Sequence, residues 1–224
     1  MNRKIKYVLV LIISLLCVSP VIISAEEIEL IDSNLSDTYQ SETTEIVFGL
    51  SKNEIYNMML NDPNISNSNK SVIEFELQLQ ERIFEWRSIA SENYITSTYY
   101  DYGYVRKMIT VSSSYKPTAM FYTKWQYSQG NPTPDAIVSV LNASLNRSYN
   151  DKTKQFSGTL FYHLEAYNKL FFELNGDFYD NGTTTYSGGV SIGISENSSI
   201  KFSVTYSSNH YKYMFYPYRF IFSL

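Results

Sequence analysis

Beyond residue 100 the chain alternates apolar and polar residues with a period of two. Leu160, Tyr162 and Leu164 oppose Thr159, His163 and Glu165, and Ile200, Phe202, Val204 and Tyr206 oppose Lys201, Ser203 and Thr205. Such alternation marks strands with one buried face. It predicts strands over 104–115, 119–127, 156–166, 170–179, 185–194, 200–206 and 211–222. Asn181-Gly182 reads as a hairpin turn, because these residues accept the positive φ that tight turns need. Residues 150–152, 167–169, 195–199 and 207–209 read as further turns.

Two stretches follow a longer period. Ser51-Lys52-Asn53-Glu54 is a capping box that opens a helix through Leu60, closed by Asp62-Pro63, with a polar linker over 64–69. Ser71-Val72-Ile73-Glu74 is a second box, and Val72, Phe75, Leu79, Ile83, Trp86 and Ala90 then share one helical face. Residues 133–145 fit both periods, since Ile137, Val140, Leu141, Ser144 and Leu145 are helically spaced while Ile137, Ser139, Leu141, Ala143 and Leu145 alternate. Val, Ile, Ser and Asn are weak helix formers and the neighbours read as hairpins, so a strand is expected.

The expected fold is therefore mainly β, an antiparallel sandwich-like domain of about eight strands preceded by a short helical segment. In the C-terminal strand Met214, Tyr216, Tyr218, Phe220 and Phe222 share the face that must pack on a second sheet. An outer-membrane β-barrel is the alternative, with the same aromatic face turned to lipid.

The N-terminus changes the setting. Arg3, Lys4 and Lys6 precede an almost wholly apolar run from Tyr7 to Ile23, and Ser24-Ala25 then meets Glu26-Glu27. This pattern is that of a secretory signal peptide cleaved after Ala25. Cys17 follows Leu16, where a lipidation signal requires a small residue. Residues 1–25 are thus read as signal, 26–50 as an acidic flexible lead-in, 51–97 as a helical segment and 98–224 as the antiparallel β domain. The expected localisation is extracellular, with the outer membrane as the alternative, and the long apolar signal suggests a bacterial source.

Cleavage would remove three of the 18 basic residues and none of the 22 acidic ones, leaving a net charge of −7 and no cysteine. Burial alone would then stabilise the fold, without disulfides. An acidic chain offers no basic footprint for nucleic acid.

Catalytic motifs are sparse. His163 and His210 have no metal-ligand spacing, and no G-x-S-x-G elbow occurs. Glu165 and Glu173 flank the turn at 167–169, but a two-strand pair does not make the cleft that glycoside hydrolysis needs. Asp177, Asp180 and Asn181-Gly182 form an oxygen-rich turn without the regular spacing of an EF-hand loop. The unusual feature is 21 Tyr. Tyrosine joins a rigid apolar ring to a hydroxyl, which suits glycans, protein partners and membrane interfaces. The candidate binding surface is Tyr99, Tyr100, Tyr102, Tyr104, Tyr211 and Tyr213. The expected function is non-enzymatic binding outside the cell, without a cofactor, metal or catalytic residue, in the style of a bacteriocin-like antagonism factor. Its target would be a glycan, a protein or a foreign membrane. A secreted hydrolase is the second alternative.

Overall fold

The computed structural model describes residues 21–24, 44–75, 98–128, 130–131 and 133–221. Strands β1 (Val21–Ser24), β2 (Thr44–Leu50), β3 (Thr98–Met108), β4 (Thr118–Ser128), β5 (Ala136–Asn146) and the short β10 (Ile192–Gly193) form one antiparallel sheet in that order. Strands β8 (Gln155–Ala166), β9 (Lys169–Gly188) and β11 (Asn197–Ile221) form the second, each paired with the other two. A small hairpin, β6 (Ser148–Tyr149) and β7 (Lys152–Thr153), turns at Asn150-Asp151, both at positive φ as a type I′ turn requires. The fold is mainly β and sandwich-like, as the alternation implies.

The sheets pack face to face through aromatic side chains. Phe121 of the first sheet meets Phe172 at 5.1 Å, Tyr162 at 6.1 Å and Phe220 at 6.2 Å between ring centroids. Tyr216 and Phe220 are buried, and Met214 and Tyr218 pack against the same core. The C-terminal aromatic face thus lies inside the sandwich, not turned outward as the barrel reading had it. Phe222 is outside the described residues.

The second sheet is a bent ribbon. Residues 169–179 of β9 pair with β8 on one side and with 210–221 of β11 on the other. Residues 197–202 of β11 pair with the opposite edge of β8, while 183–188 of β9 pair with β11 beyond them. The two long strands therefore swing together around the Gln155 end of β8. Register slips at Thr205/Ser208 and His210/Lys212, with positive φ at Gly182, Tyr206 and Asn209, produce the bend. Gln155 fastens it, its Oε1 accepting from Thr184 N at 3.0 Å, Thr184 Oγ1 at 2.8 Å and Arg147 Nη1 at 2.9 Å.

This geometry corrects several expectations. Asn181-Gly182 and 207–209 are not hairpin turns; they lie within β9 and β11, where turn-type residues supply the bulges. The strand expected over 185–194 breaks at Gly188-Gly189, both at positive φ, before the two-residue β10. The strand expected over 104–115 is shifted: it occupies Thr98–Met108, and Ser112 and Tyr115 bridge a loop beyond it.

Helix α1 (Lys52–Asn61) begins as its sequence dictates. Ser51 N donates to Glu54 Oε2 at 2.7 Å and Glu54 N to Ser51 Oγ at 3.2 Å. The Ser51 hydroxyl, donating to Glu54 Oε2 at 2.7 Å, and then the Ser51 N–H hold the Glu54 carboxyl below its ordinary pKa. Helix α2 occupies 67–75. It starts ahead of the expected box at Ser71, because Ser66 Oγ takes the Asn69 amide at 3.3 Å and caps it earlier. Ser71 instead back-bonds Asn67 O at 3.1 Å. The helical face expected over 79–90 lies outside the described residues.

Ile55, Tyr56, Met59, Ile65 and Ile73 bury against Val47, Leu50 and Tyr122, so the helices roof the outer face of the first sheet. Thr44–Leu50, expected within the flexible lead-in, is a sheet strand. Asp62 locks the roof down. Its Oδ2 accepts from Tyr122 Oη at 2.8 Å and Ser144 Oγ at 2.6 Å, and its Oδ1 accepts from Asn64 N at 2.8 Å.

Candidate functional site

The structure divides the six candidate tyrosines. Tyr100, Tyr102 and Tyr104 alternate onto the outer face of β3, and Tyr99 takes the other. The helical layer covers Tyr102, which meets Tyr56 edge-on at 6.4 Å, and Tyr104, whose hydroxyl donates to Glu45 at 3.0 Å. Tyr100 is exposed beneath Lys124 Nζ at 4.4 Å. Tyr99 stacks on its cross-strand partner Tyr127 at 4.8 Å, and its hydroxyl donates to Asn131 O. Tyr211 packs edge-on against Tyr115 under Lys154, and its hydroxyl shares a 2.6 Å hydrogen bond with Ser112. That bond lowers the Tyr211 hydroxyl pKa. Only Tyr213 lies on a broad open face. The six form no single surface.

That open face is the outside of the second sheet. Cross-strand rows align Tyr213 with Asp177, Phe215 with Asn175 and Thr159, Pro217 with Glu173 and Phe161, and Arg219 with Phe171 and His163. Tyr213 is 52% and Phe215 53% exposed. Further along the same face Phe161 of β8 and Phe171 of β9 meet at 6.1 Å. Tyr213 Oη donates to Asn175 Oδ1 at 2.9 Å, fixing the ring over the strand beside it. Phe161, Phe171 and Phe215 were missed in the sequence, although the period-two pattern that buries Leu160 and Phe172 places their neighbours outward.

The charged groups on this face are mostly paired. Arg219 grips both oxygens of Glu165 at 2.6 and 2.7 Å, which holds that carboxyl below its ordinary pKa, and its guanidinium lies 5.2 Å from the Phe171 ring centre. Glu173 stands opposite Phe161, four residues along β8 from Glu165 and so roughly 13 Å away. The two glutamates do not converge. His210 Nε2 contacts Asp177 at 2.8 Å, His163 Nδ1 contacts Glu196 O at 2.8 Å, and Lys154 pairs with Asp180. Among the described residues, no three His, Cys, Asp or Glu gather as a metal site.

Two features escaped the sequence. Asp101, opposite Trp125 on β4, has a buried Oδ1 without a hydrogen-bond partner. Burial pushes its carboxyl up to about 6, against the pull of the Tyr127 hydroxyl and the Gly49 amide. A cleft of about 200 Å³ opens between the helices and 189–191, lined by Met59, Ile73, Leu141, Asn142 and Val190 among others. Among the described residues no carboxylate or histidine lines it.

Comparison with protein-family models, characterised proteins and solved structures gives no match.

Proposed function

We propose that the chain is a secreted, non-enzymatic binding protein, and that the outer face of its second sheet contacts a neutral, hydroxyl-rich glycan. The half-exposed Tyr213 and Phe215, with the Phe161–Phe171 pair further along the same face, carry this reading. Flat rings stack on the apolar faces of sugars, and Glu173, Asn175 and Asp177 between them supply acceptors for hydroxyls. A net charge of −7 after signal removal favours such a surface over an anionic bilayer. The dispersed glutamates favour binding over hydrolysis. Antagonism of a competing cell, in the bacteriocin-like manner, would follow from anchoring on its wall.

The test is co-sedimentation of the exported protein with insoluble cell-wall glycan and with anionic lipid vesicles. The wild type should pellet with the glycan, and the Tyr213→Ser/Phe215→Ser double variant should lose at least tenfold in affinity with an unchanged melting temperature. Equal pelleting of the two proteins, or pelleting with vesicles alone, overturns the proposal.

A further inference from the structure

The outer edge of the first sheet is filled by the chain's own N-terminal segment. Val21–Ser24 runs antiparallel to β2 with Val21 opposite Phe48, Ile22 opposite Val47, Ile23 opposite Ile46 and Ser24 opposite Glu45. These four residues fall within the stretch read as a signal peptide ending at Ala25. Export would remove them and leave one side of the β2 backbone without a strand partner among the described residues. We propose that in the secreted protein this edge accepts a single extended strand from a partner polypeptide, apolar and β-branched in the manner of Val-Ile-Ile-Ser, added antiparallel. The inference rests on the secretion reading and concerns a site separate from the aromatic face.

Three observations carry it. First, apart from the bulge at its Gly49 end, β2 lacks the devices that keep sheet edges from pairing. Residues 212–221 of β11, which pair on one side only with β9, carry Lys212, Arg219 and Pro217, and a proline has no N–H to offer. The open side of β2 instead presents Ile46, Val47 and Phe48, and its one charged residue, Glu45, is already held by Arg106 and Tyr104.

Second, β2 is pinned on both faces. Ile46 and Phe48 bury in the sandwich core, while Val47 and Leu50 bury beneath the helices. Gly103 lets β3 approach closely, since a Cβ there would stand 1.9 Å from Val47 O. The edge is rigid before a partner arrives, which lowers the ordering cost of strand addition.

Third, the slot is short. On this edge the described residues make four pairs with β2, from Glu45 to Phe48, and on the other side of β2 the bulge between Val47 and Leu50, with Gly49 at φ +83°, breaks its pairing with β3. A four-residue ladder falls well below the roughly 800 Å² per partner of a stable protein–protein interface. It suits a peptide strand better than a second copy of this chain.

The experiment uses the protein recovered from the medium after export and a synthetic peptide spanning residues 20–25 with solubilising ends. Intact mass first establishes where the chain begins. A chain that retains 21–24 removes the secretion reading and, with it, the open edge. If the chain begins near Glu26, the peptide should bind with a micromolar Kd and raise the melting temperature by several degrees. Peptides carrying Ile22→Pro or Ile23→Pro then discriminate, because adjacent residues of an antiparallel strand point their N–H groups to opposite sides. One should lose at least tenfold in affinity and the other should bind more nearly like the parent. No binding, equal binding of both proline peptides, or a concentration-dependent dimer of the processed chain dispersed by the peptide each overturns the proposal.

Discussion

The two sheets are built from similar material and meet different fates. Both alternate apart from local bulges, both carry tyrosine on their outer faces, and both send phenylalanines into the shared core. The first has its outer face roofed by α1 and α2, so Tyr102 and Tyr104 become packing and hydrogen-bonding groups. The second has no roof among the described residues, so Tyr213 and Phe215 stay half exposed. Tyrosine content alone does not say which of these roles a ring takes. What covers the face decides it.

The largest effect that would break this comparison lies in the shared interior. Phe220→Asp puts a charge among Phe121, Phe172 and Tyr218 and should cost more than about 4 kcal/mol, read by chemical denaturation. A tolerated substitution would mean that the two sheets do not share one core.

Removal of the roof's fastening should come next. Asp62→Ala strips the Tyr122 and Ser144 hydroxyls of their common acceptor and should cost about 2–3 kcal/mol. Hydrogen exchange should quicken over 52–61 more than over 169–179, because the roof and not the second sheet is released.

A smaller effect concerns pH. The Asp101 carboxyl titrates near 6 in the fold and near 3.9 when unfolded. Between those values the folded state keeps a proton that the unfolded state has lost, so this group's contribution to stability falls as pH rises from about 4 to about 6. Asp101→Asn should remove that slope and stabilise the protein at pH 7 by about 1 kcal/mol, allowing for solvent screening. Thermal melts at pH 4, 5, 6 and 7 check both the sign and the window.

The smallest effect sharpens the contrast between the faces. Tyr213→Ser/Phe215→Ser should change stability by less than about 1 kcal/mol, as expected for an uncovered surface. Tyr102→Ala, beneath the roof, should cost clearly more. Equal losses at the two places would show that the second sheet is covered as well.

The β class, the antiparallel pairing, the inward face of the last strand and the capping box at Ser51 were all legible in the residues, because period and cap chemistry are local. Residues 136–146 show where local reading strains. Their inward residues, Ile137, Val140, Ala143 and Leu145, are spaced by three and two because two bulges interrupt the pairing with β4. Bulges let a strand imitate part of a helical period, and only the neighbouring strand distinguishes them. The same holds at Asn181-Gly182 and 207–209, where residues that accept positive φ serve a bend in a ribbon as readily as a hairpin turn.

The candidate surface was legible only at Tyr213, and partly at Tyr99 and Tyr100. Clustering along β3 could not reveal that the helical layer covers Tyr102 and Tyr104. Phe161 and Phe171 come together only when β8 and β9 align in register. By itself the sequence determined which side chains share a face, since that follows from backbone geometry within one strand. The tertiary structure alone decided which faces were covered, which edges were filled and which carboxyl was buried, because each depends on residues far away in the chain.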